Sequence, residues 1–101
     1  MTVTVLATVS VAEDQAQALA AYLTVTTPLL ERAGARIIKR FVILDVVMGV
    51  RPTQTVIVVE YPDRVAVDKV FKSAEYQAFI PMRDIAFREY NVMIIDDHGS
   101  W

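Results

Sequence analysis

The run of apolar and polar positions over residues 35–61, ARIIKRFVILDVVMGVRPTQTVIVVEY, predicts two long strands joined by a tight connection. Ten of the fourteen positions from 37 to 50 are Ile, Val, Leu, Met or Phe, most of them β-branched. Stiff branched side chains suit a pleated surface better than a helix. Gly49, Arg51, Pro52 and Thr53 interrupt the run, and residues 55–61 resume it. Pro52 has no amide hydrogen to give to a central ladder, so it belongs to the turn or to the start of a strand.

Alternation sorts the first of these strands into two faces. One carries Ile38, Arg40, Val42, Leu44, Val46 and Met48, and the other Ile37, Lys39, Phe41, Ile43, Asp45 and Val47. A sheet with one face in water alternates apolar with polar residues. Here both faces are mainly apolar. The chain's own helices cover one face, and a second subunit is expected on the other.

Residues 2–9 alternate Thr with apolar residues and read as a first strand. Ser10-Val11-Ala12-Glu13 fits a capping box opening a helix that runs to about Ala33, with Gly34 as the residue that ends it. Ala16, Leu19, Leu23 and Leu30 form its apolar stripe. Residues 24–27 are a poor helical run and Pro28 removes a backbone bond, so a kink is expected there. Pro62-Asp63 opens a second helical segment with Val67, Val70 and Phe71 inward. Ser73 interrupts or re-caps it, and residues 75–88 continue as helix, bent or broken at Pro81. Residues 90–96 form a last short strand, followed by a tail. The order β-α-β-β-α-β predicts an α+β, ferredoxin-like arrangement: an antiparallel sheet with both helices on one face, as a single domain over residues 1–101.

Composition sharpens the expectation of self-association. The chain is 54% hydrophobic, with a mean hydropathy of +0.38. It has no apolar run of the ~18 residues a membrane helix needs, and its N-terminus, MTVTVLATVS, lacks the basic region of a signal peptide. A cytoplasmic homodimer joined through the sheet face accommodates this excess of apolar residues. Net charge is −2, with both signs mixed and no basic stripe, so nucleic acid is not an expected partner. Cysteine is absent, which excludes disulfides, thiolate metal sites and cysteine nucleophiles.

Certain stretches resemble the dimeric α/β-barrel superfamily, and within it a family of small, mostly bacterial proteins of unknown function. Gly34-Ala35-Arg36-Ile37-Ile38-Lys39-Arg40 is similar to that family's glycine turn and basic strand. Val58-Val59-Glu60-Tyr61-Pro62 matches its strand closing in Glu, an aromatic and Pro. Ser73-Ala74-Glu75-Tyr76-Gln77, followed by Arg83, matches its most specific motif. The family usually has two glycines after the first helix and Gly-Gly after the arginine matching Arg40; here Ala35, Phe41 and Val42 stand instead. The resemblance implies the ferredoxin-like dimer. The superfamily includes cofactor-free monooxygenases, lactone isomerases and haem-binding enzymes, so fold alone does not settle function.

The residue chemistry narrows the classes. The one histidine, His98, lies in the tail, which argues against metal or haem ligation in the core. No serine has an activating histidine within the core elements, and no glycine-rich phosphate loop is present. No cofactor or metal is therefore expected. Arg40 interrupts an apolar strand face and reads either as one half of an ion pair or as an anion-binding group. Glu60 is the nearest acidic candidate, on the same or the opposite face according to hairpin register. Tyr76 and Arg83 lie seven apart, two helical turns, and with Tyr22 they line a cleft between helices and sheet, or else are ordinary packing with polar tips. The candidate site is thus Glu60 and Tyr76 as catalytic groups, with Tyr22, Arg40 and Arg83 binding substrate. Two functions fit: cofactor-free binding or transformation of a small organic acid or phenolic compound, and a non-catalytic dimeric sensing or assembly module.

Overall fold

The computed structural model of the chain describes residues 2–96; His98 lies outside them. The elements are β1 (Val3–Val11), α1 (Ala16–Arg32), β2 (Arg36–Val42), β3 (Thr55–Tyr61), α2 (Arg64–Phe71), α3 (Ala74–Ala78), α4 (Ile80–Ala86) and β4 (Phe87–Ile95). The strands form one sheet in the order β2-β3-β1-β4, every neighbouring pair antiparallel. This is the expected ferredoxin-like α+β fold. The core lies between sheet and helices. Val5, Val59 and Tyr61 from the strands pack with Tyr22 and Leu29 of α1, Val67 and Val70 of α2, and Tyr76 of α3.

Local chemistry fixes most element ends. The Asp63 carboxylate accepts from the Ala66 amide at 2.8 Å and caps α2. Ser73 separates α2 from α3, its hydroxyl accepting from the Tyr76 amide at 3.1 Å and donating to the Val70 carbonyl at 2.8 Å. Pro81 sits in the first turn of α4, where no intrahelical amide is lost. Gly34, at φ +76°, closes α1. Its amide bonds the Glu31 carbonyl and that of Ala35 bonds Leu30, both at 3.0 Å, the double bond pattern of a left-handed helix end.

Four expectations change. Ser10 does not cap α1. It is the penultimate residue of β1, donating to the Glu89 carboxylate at 2.8 Å and accepting from the Gln54 amide at 3.1 Å. Cross-strand partners outcompeted the local capping geometry, and Gln15, without a side-chain cap, precedes the helix. The final strand begins at Phe87 rather than Tyr90. The third change is at β2, which ends at Val42; residues 43–54 form a long connection instead of more strand and a tight turn. Asp45 accepts from the Val46 amide at 2.9 Å and Gly49 takes φ +94°, both at odds with a ladder. Most apolar side chains of this connection find little to pack on: Leu44 is 88% exposed and Val47 99%.

The fourth change is a β-bulge between Ile37 and Lys39. One extra residue exchanges the faces of all that follow. Ile37 pairs with Val59 and Arg40 with Ile57, so both point to the helix side, while Arg36, Lys39 and Phe41 share the outer face with Glu60, Val58 and Val56. Simple alternation had separated Ile37 from Arg40. The outer face is a continuous apolar surface, with Phe41, Val56, Val58, Leu6 and Met93 in adjoining registers and only partly covered.

Candidate functional site

The helix-side row across the sheet, Arg40–Ile57–Ala7–Val92, shows why a cavity forms. The small Ala7 sits at its centre, and the α1 side chains above it do not fill the space. A cavity of about 250 Å³ results, floored by Val5, Ala7, Ile57 and Val59 and roofed by Leu23, Thr26 and Leu30. Its polar groups are Tyr22, Tyr61, Tyr76 and Tyr90, with Thr26 and Thr27 of α1 and with Arg40 on the edge strand β2.

Three of the tyrosines form a hydroxyl cluster. Tyr22 donates to Tyr90 at 2.8 Å. A phenol has one proton, so the 3.0 Å contact between Tyr22 and Tyr76 is donated by Tyr76. Arg83 donates from Nη1 to the Tyr76 hydroxyl at 3.3 Å. Polarity therefore runs from Arg83 through Tyr76 and Tyr22 to Tyr90. The rings meet edge to face, Tyr22 lying 6.1 Å from Tyr76, 5.9 Å from Tyr90 and 5.4 Å from Phe87 between centroids. Each such contact adds to the burial energy and fixes ring orientation.

Electrostatics follow from burial. Desolvation first, then the proximity of Tyr90, pushes Tyr22 far above the ordinary phenol range. Burial and the neighbouring Tyr76 push Tyr90 up as well. Tyr61, only 1% exposed, is raised to about 12 by burial and by Tyr76. These three phenols are neutral hydrogen-bonding groups at any physiological pH. For Arg83, burial opposes the charge, but hydrogen bonding and attraction to Tyr76 and Asp84 outweigh it and raise its pKa.

The sequence-derived candidates separate in space. Tyr22 and Tyr76 line the cavity, and Arg40 stands at its edge. Arg83 stacks over Tyr90 at 5.2 Å and bonds Tyr76, yet it lies behind the phenols, in an outer cleft with Arg64 and Val67. The break between α3 and α4 does not separate Arg83 from Tyr76. Glu60 does not converge with the others. It lies on the outer face and pairs with Arg36 at 3.0 Å, because the register sets Arg36 opposite Glu60 and Arg40 opposite Ile57. The sequence reading missed Tyr90 and Tyr61 as site residues. Parity was the available signal: Tyr61 shares a face with Val59 and Ile57, as Tyr90 does with Val92. Among the described residues, no group of three or more His, Asp or Glu side chains is arranged to hold a metal ion, and no helix is long and apolar enough to cross a membrane.

A family model described as a domain of unknown function, DUF1330, matches residues 4–98. No curated protein matches the chain. Among solved structures, a protein of unknown function from Rhodopseudomonas palustris superposes with a TM-score of 0.80 at 19% identity, over 98% of this chain and 84% of its own. A DABB family protein with a ferredoxin-like fold from Mesorhizobium loti gives 0.63 at 10% identity, over 97% and 98% of the two chains. A dimeric protein of unknown function and ferredoxin-like fold from Bacteroides fragilis gives 0.59 at 9% identity, over 94% and 95%. At these identities the likeness is one of fold.

Proposed function

The chain belongs to the DUF1330 family, and on that premise we propose that it is a small-molecule protein that binds an organic acid or phenolic compound, without cofactor, between its helices and sheet. The observation that carries this reading is the cavity of about 250 Å³, whose apolar floor is bordered by tyrosine hydroxyls and by one cation, Arg40. A concave apolar site with a few convergent polar groups is what a small ligand requires. Arg40 has no hydrogen-bond or ion-pair partner among the described residues, so its guanidinium is open to a carboxylate. Tyr22 and Tyr76 orient the ligand by hydrogen bonding, and Arg83 holds Tyr76 in place from behind. In any proton transfer Tyr76 takes the central role, since Glu60 faces away from the cavity.

The working form in this proposal is a homodimer joined through the outer sheet face. Partly covered Phe41, Val56, Val58, Leu6 and Met93 supply the apolar area, and the exposed Leu44 and Val47 extend it. Burial of such a patch is the main driving force for association.

Titration with benzoate, followed by methyl and aromatic NMR, tests the binding reading. Saturable shifts at Val5, Ile57, Val59 and the tyrosine rings support it. Shifts confined to the surface, or none at millimolar benzoate, overturn it. Turnover of a bound compound would separate an enzyme from the non-catalytic sensing module.

A further inference from the structure

Tyr61 is the one cavity tyrosine outside the hydroxyl cluster. Tyr22, Tyr76 and Tyr90 spend their hydroxyls on one another. Tyr61 is 1% exposed and lines the same cavity, but its hydroxyl has no hydrogen-bond partner among the described residues. It is also not sealed against protein, since no fully buried side-chain oxygen in the described residues lacks a partner. The hydroxyl is therefore not sealed inside protein, and the space that Tyr61 lines is the cavity. Buried polar groups almost always find a partner, and the nearby floor, Val5 and Val59, offers no side-chain acceptor.

Strand geometry says where that partner lies. Arg40 is paired with Ile57, and Tyr61 stands four residues further along β3 on the same face. At ~3.4 Å per residue and ~4.8 Å between strands, the two Cα atoms are about 14 Å apart. A flat ring with a carboxylate at one end and an oxygen at the other spans such a gap, with one hydrogen bond at each end.

We propose that the Tyr61 hydroxyl selects the ligand, donating to an oxygen carried at the end remote from the acid group that Arg40 binds. The inference rests on the cavity reading above and narrows its ligand class to oxygen-bearing aromatic or similarly flat acids. A site built to hydrogen-bond an oxygen discriminates against the analogue lacking it, because its own polar group is then left unpaired.

The test measures affinities of 4-hydroxybenzoate and 4-methylbenzoate for the wild-type protein and for Tyr61→Phe. Wild type is expected to prefer 4-hydroxybenzoate by about tenfold, the equivalent of one net hydrogen bond. Tyr61→Phe is expected to bind the two acids alike, and to bind 4-methylbenzoate no more weakly than wild type does. Its melting temperature without ligand should be no lower than wild type, since no internal hydrogen bond is lost. If the preference survives in Tyr61→Phe, if wild type shows none, or if the variant melts lower, the role assigned to Tyr61 is wrong. If neither acid binds wild type, the cavity reading falls and takes this inference with it.

Discussion

The hydroxyl of Tyr22 donates to that of Tyr90 at 2.8 Å, joining a helix and an edge strand 68 residues apart. Tyr22 also accepts from Tyr76, so it is the middle of the hydroxyl chain. Tyr22→Phe leaves both neighbours short of a partner. A loss of about 1–3 kcal/mol in unfolding free energy is expected, measured by urea denaturation at neutral pH.

Arg40 and Arg83 are expected to differ in kind. Arg40→Ala removes a direct charge-assisted contact and should weaken benzoate binding by about 1.5–3 kcal/mol, with the fold intact by circular dichroism. Arg83→Ala acts only through Tyr76. Its effect and that of Tyr76→Phe should therefore overlap rather than add in the double variant. Additive effects would mean that Arg83 reaches the ligand independently.

Glu60→Gln is expected to leave benzoate affinity unchanged. The carboxylate it replaces is paired with an exposed Arg36, and such surface pairs contribute about 0–1 kcal/mol. Weaker binding in this variant would show that the outer face communicates with the cavity.

Leu6 sits at the middle of the outer face, opposite Val58 on one side and Met93 on the other. Sedimentation of the wild-type protein at micromolar concentration should give about twice 11.3 kDa. Leu6→Glu places a charge where the second sheet would pack and should give the monomer mass. A folded wild-type monomer would overturn the dimer.

Alkaline pH should destabilise the protein beyond the ordinary effect of exposed tyrosines. Tyr61 has a folded pKa of about 12 against 10.0 for a free phenol. Between those values the unfolded chain releases its proton and the folded chain retains it, so stability falls as pH rises from about 10 to 12. Two units correspond to about 2.7 kcal/mol at most. Denaturant midpoints across that range, compared with Tyr61→Phe, isolate this part of the slope; parallel slopes would refute it.

The fold was legible because its signals are local and redundant. Asp63 and Ser73 cap where they stand, Gly34 takes the left-handed turn, and β-branched runs mark the sheet. The site was less legible for two reasons. A single extra residue at Ile38 sets which side Arg40 faces, and nothing in the composition of Ile37-Ile38-Lys39 announces a bulge. Tyr90 was missed because its partners are 68 and 14 residues away in sequence, on elements whose packing the pattern alone does not specify. The stretch from Leu44 to Val50 misled for the opposite reason. Its residues favour strand, but among the described residues no neighbouring strand completes them.

The bulge at Ile38 makes the reading frame of β2 a functional variable. Pairing Ile38 regularly, opposite Val58, would leave the charge, the length and the apolar content of the strand unchanged. It would turn Arg40 from the helix side to the outer sheet face, opposite Val56, and set Lys39 opposite Ile57 in its place. A change invisible to hydropathy would thus exchange the two faces of the strand beyond Ile37. Deleting Ile38 would keep Arg40 opposite Ile57, whereas an inserted residue taken up regularly by the ladder would exchange the faces of all that follow.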